Sequence, residues 1–162
     1  MNSVKFKTAD LCDDHSDKLQ IASPGLRDFG GRRRFYGEIV TLKLFEDNSL
    51  VREMVGSAGS GRVLVVDGGA SMRCAVLGDL LAAQAVENGW SGLVINACIR
   101  DSEEIAGMAL GVKALGTHPL KTEKKGIGEK NLPVNFCNVT FRPGYYLYAD
   151  SDGVVVAEEP LL

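Results

Sequence analysis

The stretch of sequence that decides the fold is LGDLLAAQAVENGWSGLVINACIRD, residues 77–101. Apolar residues recur every four positions from Leu77, which is helical spacing, and Asn88-Gly89 supplies a helix stop signal. Residues 91–99 are an apolar run typical of a buried strand. A strand, helix and strand in this order normally place both strands parallel in one sheet. The segment therefore predicts an α/β fold.

The flanking sequence extends this prediction to a mixed sheet with a β-rich C-terminal third, in a single domain over residues 1–162. A short polar helical region is expected within the first 30 residues, where Thr8 or Asp10 is a candidate N-cap. Turn residues at Gly68-Gly69 separate two strands, and charges mixed with glycines at 121–130 predict a mobile loop. We predict strands at 35–45, 62–67, 72–77, 134–141, 145–149 and 153–158, and short helices at 49–55 and after Arg100.

Composition narrows the range of partners. The 162 residues are 45% hydrophobic and 24% charged, as in ordinary globular proteins, and the formal net charge of −3 provides no basic field for a phosphate backbone. Direct nucleic-acid binding is therefore not expected. No apolar run approaches membrane-spanning length, and the N-terminus lacks the apolar core of a signal peptide. Together with four dispersed cysteines, this predicts a cytoplasmic location and no membrane partner.

The predicted crossover brings chemistry-bearing residues to one sheet edge. Asp79 follows one strand and Arg100-Asp101 follows the next, so their side chains should meet at the carboxyl edge, where α/β sheets bind ligands. We expect the Asp79 and Asp101 carboxylates to lie within about 10 Å of each other. The amides of Gly78, Asp79, Leu80 and Leu81 form a helix N-terminus suited to a carboxylate. Arg100 can grip a carboxylate or keto oxygen, and Asp101 is a hard ligand for Mg²⁺ or Mn²⁺.

Each of these residues also has a purely structural interpretation. Asp79 could have no role other than capping its own helix. Asp101 and Glu104 are spaced as in a capping box at the next helix start. Arg100 could pair with a surface carboxylate. Spacing alone leaves these alternatives open.

An ordered set of motifs resembles the RraA-like family over nearly the whole chain. That family contains the class II 4-hydroxy-4-methyl-2-oxoglutarate aldolases and the regulator of ribonuclease E activity A. The matching segments are Val65-Val66-Asp67-Gly68-Gly69, Asp79 with Arg100-Asp101 after it, Gly126-Ile127-Gly128-Glu129, Val139-Thr140-Phe141-x-Pro143-Gly144 and Tyr148-Ala149-Asp150. The resemblance implies a swivelling β/β/α domain that assembles as a homotrimer or a dimer of trimers.

The resemblance also implies roles for individual residues. Gly78, Asp79, Leu80 and Leu81 correspond to the substrate-binding helix start, Arg100 to the contact with substrate and enolate, and Asp101 to the divalent-metal ligand. Arg100 and Asp79 are the catalytic candidates. The implied reaction cleaves 4-hydroxy-4-methyl-2-oxoglutarate into two pyruvates, with oxaloacetate decarboxylation as a side activity through the same pyruvate enolate.

Two other functions are open to a protein with this sequence. The main alternative is regulation of RNase E by protein binding without catalysis, which suits an acidic protein. A methyltransferase is disfavoured, because Gly68-Gly69 lacks the third glycine of a nucleotide-binding loop and leads into apolar, strand-like sequence instead of a helix.

Overall fold

The computed structural model describes residues 5–162, which form a mixed sheet with short helices, as predicted. The helices are α1 (Thr8–His15), α2 (Ser49–Val55), α3 (Asp79–Glu87) and α4 (Ser102–Ala106), with a 3₁₀ turn at Ser16–Lys18. The strands are β1 (Leu19–Ile21), β2 (Arg27–Asp28), β3 (Phe35–Lys43), β4 (Val63–Asp67), β5 (Ala75–Leu77), β6 (Gly92–Ile99), β7 (Gly111–Thr117), β8 (Glu129–Lys130), β9 (Val134–Phe136), β10 (Val139–Phe141), β11 (Tyr146–Asp150) and β12 (Gly153–Ala157).

The β5–α3–β6 crossover forms as the sequence predicted. β5 lies parallel to β6, and Ala75 pairs with Cys98. Every residue of β6 is buried, which explains why its sequence is continuously apolar rather than alternating. The carboxyl ends of β5 and β6 consequently lie side by side.

The sheet is parallel at its centre and antiparallel at its margins. Its order is β1-β12-β11-β3-β4-β6-β7-β2, with β5 also paired to β6 and β8 to β3. Neighbours among β3, β4, β6 and β7 are parallel, whereas β11, β12, β1 and β2 run antiparallel to their partners. The predicted β-rich C-terminal third is confirmed, because β8 to β12 all lie after residue 128.

Two main apolar clusters lie on the two faces of the sheet. α2, α3 and α4 contribute Val51, Ala82, Ala85 and Ile105 to the first cluster. The β9–β10 hairpin and the β11–β12 pair contribute most of the second, which includes Phe35. The helices therefore cover only one face of the parallel strands, and this arrangement positions α3 at the carboxyl edge.

The N-terminal region departs from prediction. A helix is present at α1, but Lys7 is its N-cap and makes no side-chain capping bond, so capping by Thr8 or Asp10 is wrong. Instead, Asp150 of β11 accepts hydrogen bonds from the Thr8 backbone N–H at 2.8 Å and from its hydroxyl at 2.6 Å. A carboxylate distant in sequence thus satisfies this helix start, and no local pattern could have indicated it.

Two predicted strands are shorter or divided. The strand predicted at 72–77 begins only at Ala75, and the strand predicted at 134–141 is a hairpin of β9 and β10. Cys137 and Asn138 form its two-residue turn with φ of 50° and 62°. Positive φ at both central positions is the geometry of a type I′ turn.

Between β4 and β5, Gly68-Gly69 forms a tight turn, as expected. The Asp67 carboxylate accepts the Gly69 N–H at 3.0 Å, and Gly69 has a φ of 67°. No helix within residues 5–162 is long and apolar enough to cross a membrane.

Candidate functional site

The predicted residues meet at the carboxyl edge of β5 and β6. The Arg100 backbone N–H donates to the Leu77 carbonyl at 2.8 Å, and the Asp79 N–H donates to Asp101 Oδ2 at 2.9 Å. A carboxylate oxygen of an aspartate lies no more than about 5 Å from its own backbone nitrogen. The Asp79 and Asp101 carboxylates are therefore within the predicted 10 Å of each other.

The Asp101 carboxylate faces the start of α3 rather than the helix that follows it. Asp101 precedes α4 as its N-cap residue but makes no side-chain capping bond there, so the capping-box interpretation with Glu104 is wrong. Its backbone is left-handed, with φ 55° and ψ 42°. This conformation is uncommon for a residue with a side chain and is frequent at functional sites. It directs the carboxylate across to α3.

Gly78 provides the space that this contact needs. A Cβ atom at Gly78 would lie 2.9 Å from Asp101 Oδ2 and 3.3 Å from Arg100 Nε. Gly78 is extended, with φ −126° and ψ −172°, so a side chain is excluded by these neighbours and not by backbone strain. The glycine was predicted to admit a small anion to the backbone; the structure shows that it also admits Asp101 and Arg100.

The start of α3 still offers donors to a ligand. The first backbone N–H groups of a helix have no intrahelical partner. The Asp79 N–H already donates to Asp101, so the next two amides available in the first turn are those of Leu80 and Leu81. The Leu80 side chain is 77% exposed at the rim, so its contribution to a buried ligand would be through its backbone. Partial positive charge at this helix end favours a carboxylate there.

Arg100 is half-buried, and its guanidinium has no carboxylate partner in the described part of the chain. None of the four ion pairs found there includes it, so pairing with a surface carboxylate is wrong. Nη1 makes one long hydrogen bond, 3.4 Å, to the Pro119 carbonyl. Its remaining donors are available for a carboxylate or keto oxygen.

These residues line a cavity of about 290 Å³. Four cationic and two anionic side chains surround it, so the lining carries a net charge of +2 before any metal binds. None of the four cations belongs to an ion pair among residues 5–162. The cavity thus suits a small dianion. Its lining residues are Asn48, Arg52, Ala75, Gly78, Asp79, Leu80, Leu81, Gln84, Arg100, Asp101, Lys121 and Lys124.

A buried aspartate anchors the segment that carries Lys121 and Lys124. Asp47, 3% exposed, accepts the Lys125 N–H at 2.9 Å and the Ile127 N–H at 3.0 Å through Oδ2, while Oδ1 accepts the Ser49 N–H and hydroxyl. Burial alone would raise the pKa of Asp47, but these hydrogen bonds outweigh it and lower that pKa to about 2. The segment predicted as a mobile loop is therefore tied to the start of α2.

The donor set at Asp101 fits a magnesium-type ion. Oδ2 accepts the Asp79 N–H, and Oδ1 makes no hydrogen bond or ion pair in the described chain. The Asp79 carboxylate makes none either, and Asp79 lines the same cavity. Mg²⁺ is usually held by one or two carboxylates, with water and substrate completing the shell. No group of three or more His, Cys, Asp or Glu side chains that could form an all-protein cage occurs in residues 5–162.

All of the predicted site residues lie in this one cavity, but the prediction missed half of its lining. The missed polar residues come from α2, from later turns of α3 and from the segment after β7. None follows a recognisable motif, and their proximity depends on how α2 packs against α3. The one available signal was the lysine-rich stretch at 121–125, whose lysines have few acidic neighbours. These missed residues are Asn48, Arg52, Gln84, Lys121 and Lys124.

Fold and site together define a class of protein: an α/β domain with a cavity of net positive charge at the carboxyl edge of its parallel strands. The chain belongs to the RraA-like family, described as Aldolase/RraA, whose pattern it matches over residues 8–156.

Named relatives cover almost the whole chain. A Laribacter hongkongensis protein, named as a candidate 4-hydroxy-4-methyl-2-oxoglutarate aldolase, is 60% identical over 98% of this chain and 100% of its own. An Alkalilimnicola ehrlichii protein with the same name is 59% identical, covering 98% and 99%.

Two solved structures superpose closely. The Thermus thermophilus RNA-processing inhibitor RraA has a TM-score of 0.94 and 41% identity, covering 98% of this chain and 96% of its own. A Geobacillus kaustophilus protein described as an S-adenosylmethionine: 2-dimethylmenaquinone methyltransferase has a TM-score of 0.95 and 50% identity, covering 96% and 97%. The names given to close neighbours therefore cover three different functions.

Proposed function

We propose that this protein is a divalent-metal-dependent lyase that cleaves 4-hydroxy-4-methyl-2-oxoglutarate into two pyruvates, and that it decarboxylates oxaloacetate as a secondary activity. The observation that carries the proposal is the Arg100 guanidinium, half-buried and without a carboxylate partner, packed beside Gly78 and Asp101 at a helix N-terminus. This arrangement matches the carboxylate and adjacent ketone of a 2-oxo acid.

Binding of the 2-oxo acid follows from the donors at this end of the cavity. The amides of Leu80 and Leu81 and the positive end of α3 hold the C1 carboxylate. Arg100 donates to the C2 ketone oxygen, where negative charge develops. A donor aimed at that oxygen typically contributes about 10²- to 10³-fold in rate.

The cleavage step requires one proton transfer at the substrate hydroxyl. The Asp79 carboxylate, free of hydrogen bonds in the described chain, takes the proton from the C4 hydroxyl. The C4–O bond becomes a ketone, the C3–C4 bond breaks, and its electron pair passes through C2 to the ketone oxygen. Arg100 stabilises the enolate so formed. Transfer of the same proton from the Asp79 carboxyl group to C3 gives the second pyruvate and restores the Asp79 carboxylate.

Asp101 would hold the metal, Mg²⁺ or Mn²⁺, through its free oxygen Oδ1. When bound, such an ion supplies Lewis-acid stabilisation of negative charge on the 2-oxo acid. Asp101 has a second task in the protein itself, because Oδ2 holds the first N–H of α3. The same carboxylate would therefore hold both the ion and the start of α3.

The test is pyruvate release from 4-hydroxy-4-methyl-2-oxoglutarate and from oxaloacetate, with Mg²⁺ and then with a chelator. Metal-dependent turnover should be lost in Arg100→Ala and Asp101→Asn, and retained in Arg142→Ala, which removes an arginine that lines no part of the cavity. Turnover no faster than the free-metal background would refute catalysis.

A homotrimer, alone or as a dimer of trimers, is part of the proposal. Five exposed apolar side chains flank the carboxyl edge or lie in segments next to it, an arrangement that suits contact with further copies of the chain. Light scattering on the purified protein tests the assembly, and a monomer at micromolar concentration would contradict it. The five exposed apolar residues are Phe45, Met72, Leu80, Leu120 and Ile127.

Regulation of RNase E by protein contact is the second candidate function. The 41% identity to the Thermus thermophilus RNA-processing inhibitor favours it. An RNase E cleavage assay with Arg100→Ala separates the two functions, because inhibition by surface contact should survive that substitution while aldolase activity should not.

A further inference from the structure

The cavity is also lined by polar side chains that the proposed chemistry does not use. Arg52 of α2 and Gln84 of α3 line it together with Lys124. Arg52 forms no ion pair among residues 5–162, and neither its guanidinium nor the Gln84 amide makes a hydrogen bond there. The Arg52 guanidinium and the Gln84 amide therefore belong to the lining of one cavity and have no protein partners there.

The position of Arg52 is set by Asn48, one helical turn before it. Asn48 is buried; its Nδ2 donates to the Val76 carbonyl at 3.2 Å, and its Oδ1 accepts from the Thr122 hydroxyl at 2.9 Å. These bonds fix the start of α2 against β5 and against the segment that bears Lys124. Because residues four apart share a helix face, Arg52 lies on the side of α2 that faces the cavity.

The spacing of the lining residues along α3 is compatible with a five-carbon diacid. Gln84 lies five residues after Asp79, which is about 7.5 Å along the axis of α3. The terminal carboxyl carbons of an extended five-carbon diacid are about 5 Å apart, and a hydrogen bond from the second carboxylate adds about 2.8 Å, which gives about 8 Å in all. A substrate whose C1 carboxylate lies at the start of α3 would thus present its far carboxylate at about the level of Gln84, in the cavity that Arg52 also lines.

We infer that Arg52, assisted by Gln84, binds the second carboxylate of the substrate and makes the enzyme selective for dicarboxylic over monocarboxylic 4-hydroxy-2-oxo acids. The inference rests on the proposed function and adds its specificity-determining residue. Arg52 touches no reacting atom, so its contribution is to binding. A hydrogen bond to a charged group at an exposed side chain is worth about a tenfold change in affinity.

The test compares Arg52→Gln with wild type on two substrates that differ only in the second carboxylate. 4-Hydroxy-4-methyl-2-oxoglutarate has the second carboxylate, and 4-hydroxy-2-oxopentanoate lacks it. We expect kcat/KM for the dicarboxylate to fall about tenfold, through KM, while kcat/KM for the monocarboxylate changes less than twofold. Arg142→Gln, which makes the same charge change outside the cavity, should leave both substrates unchanged.

A binding measurement separates failure of this inference from failure of the proposed function. 2-Oxoglutarate has both carboxylates but no 4-hydroxyl, so it binds without being cleaved; pyruvate has only one carboxylate. Calorimetry in the presence of Mg²⁺ should show that Arg52→Gln weakens 2-oxoglutarate about tenfold and leaves pyruvate unchanged. If wild type cleaves neither hydroxy acid but this difference persists, the lyase is refuted and the subsite stands. If Arg52→Gln affects both acids equally, or neither, the subsite is overturned whatever the activity.

Discussion

The substitution Gly78→Ala tests the geometry of the site with a single methyl group. Its Cβ would lie 2.9 Å from Asp101 Oδ2 and 3.3 Å from Arg100 Nε, and an ordinary carbon–oxygen contact requires about 3.4 Å or more. The carboxylate must therefore retreat by about half an ångström, which stretches its 2.9 Å bond to the Asp79 N–H. Displacement of catalytic groups on this scale typically costs 10- to 100-fold in rate.

Stability should change far less than activity in Gly78→Ala. Loss of one charge-assisted hydrogen bond and a poorer N-cap residue together lower the free energy of unfolding by about 1–2 kcal/mol, or roughly 3–6 °C in Tm. The assay is steady-state pyruvate release alongside thermal unfolding. Gly153→Ala is the matched control, because nothing lies within 4 Å of the added atom. If Gly78→Ala retains more than half of wild-type kcat/KM, the close packing of Asp101 and Arg100 has no role in the chemistry.

Three further substitutions give separate tests. Asp101→Asn preserves the size of the side chain and an oxygen that accepts the Asp79 N–H, and asparagine tolerates a left-handed backbone. Tm should therefore change by less than about 3 °C. Mn²⁺ binding, measured by calorimetry, and metal-dependent turnover should both be lost. Asp47→Asn should lower the free energy of unfolding by about 2 kcal/mol at pH 7. Because the pKa of Asp47 is lowered to about 2, this difference in stability between wild type and variant should be present above pH 4 and should fade as the pH falls through about 2. Urea denaturation at several pH values measures it, and a pH-independent difference would contradict the prediction. Gly111→Ala places a methyl against the Phe35 ring and should cost about 1–3 kcal/mol, which Phe35→Leu in the same chain should partly restore.

The sequence predicted that Asp79, Arg100 and Asp101 lie together, because their proximity depends on a single local rule. Asp79 follows β5 and Arg100-Asp101 follows β6, and a parallel crossover brings the carboxyl ends of both strands together. Twenty residues separate Asp79 from Arg100, but the two still meet, because α3 runs away from the carboxyl edge and β6 runs back to it. The same rule could not show that Asp101 faces α3 instead of α4, because that depends on its left-handed φ of 55°.

The remaining polar lining of the cavity could not be predicted in this way. Arg52, Gln84 and Lys124 come from three elements whose proximity depends on side-chain bonds between distant segments. Asp47 holds Lys125 and Ile127, and Asn48 holds Thr122, across more than 70 residues of chain. Neither residue carries a recognisable motif. The cap of α1 is a similar case, because its acceptor, Asp150, lies 142 residues away.

The sequence by itself determined the fold class, the parallel β5–α3–β6 unit and the residues at the start of α3, because apolar periodicity and helix stop signals act over a few residues. The tertiary structure alone decided which oxygen of Asp101 remains free, that Arg100 lacks a carboxylate partner, and that Arg52 faces the same cavity. Those features arise from packing and hydrogen bonds between elements far apart in the chain. Their geometry depends on all the contacting segments at once, and no single segment encodes it.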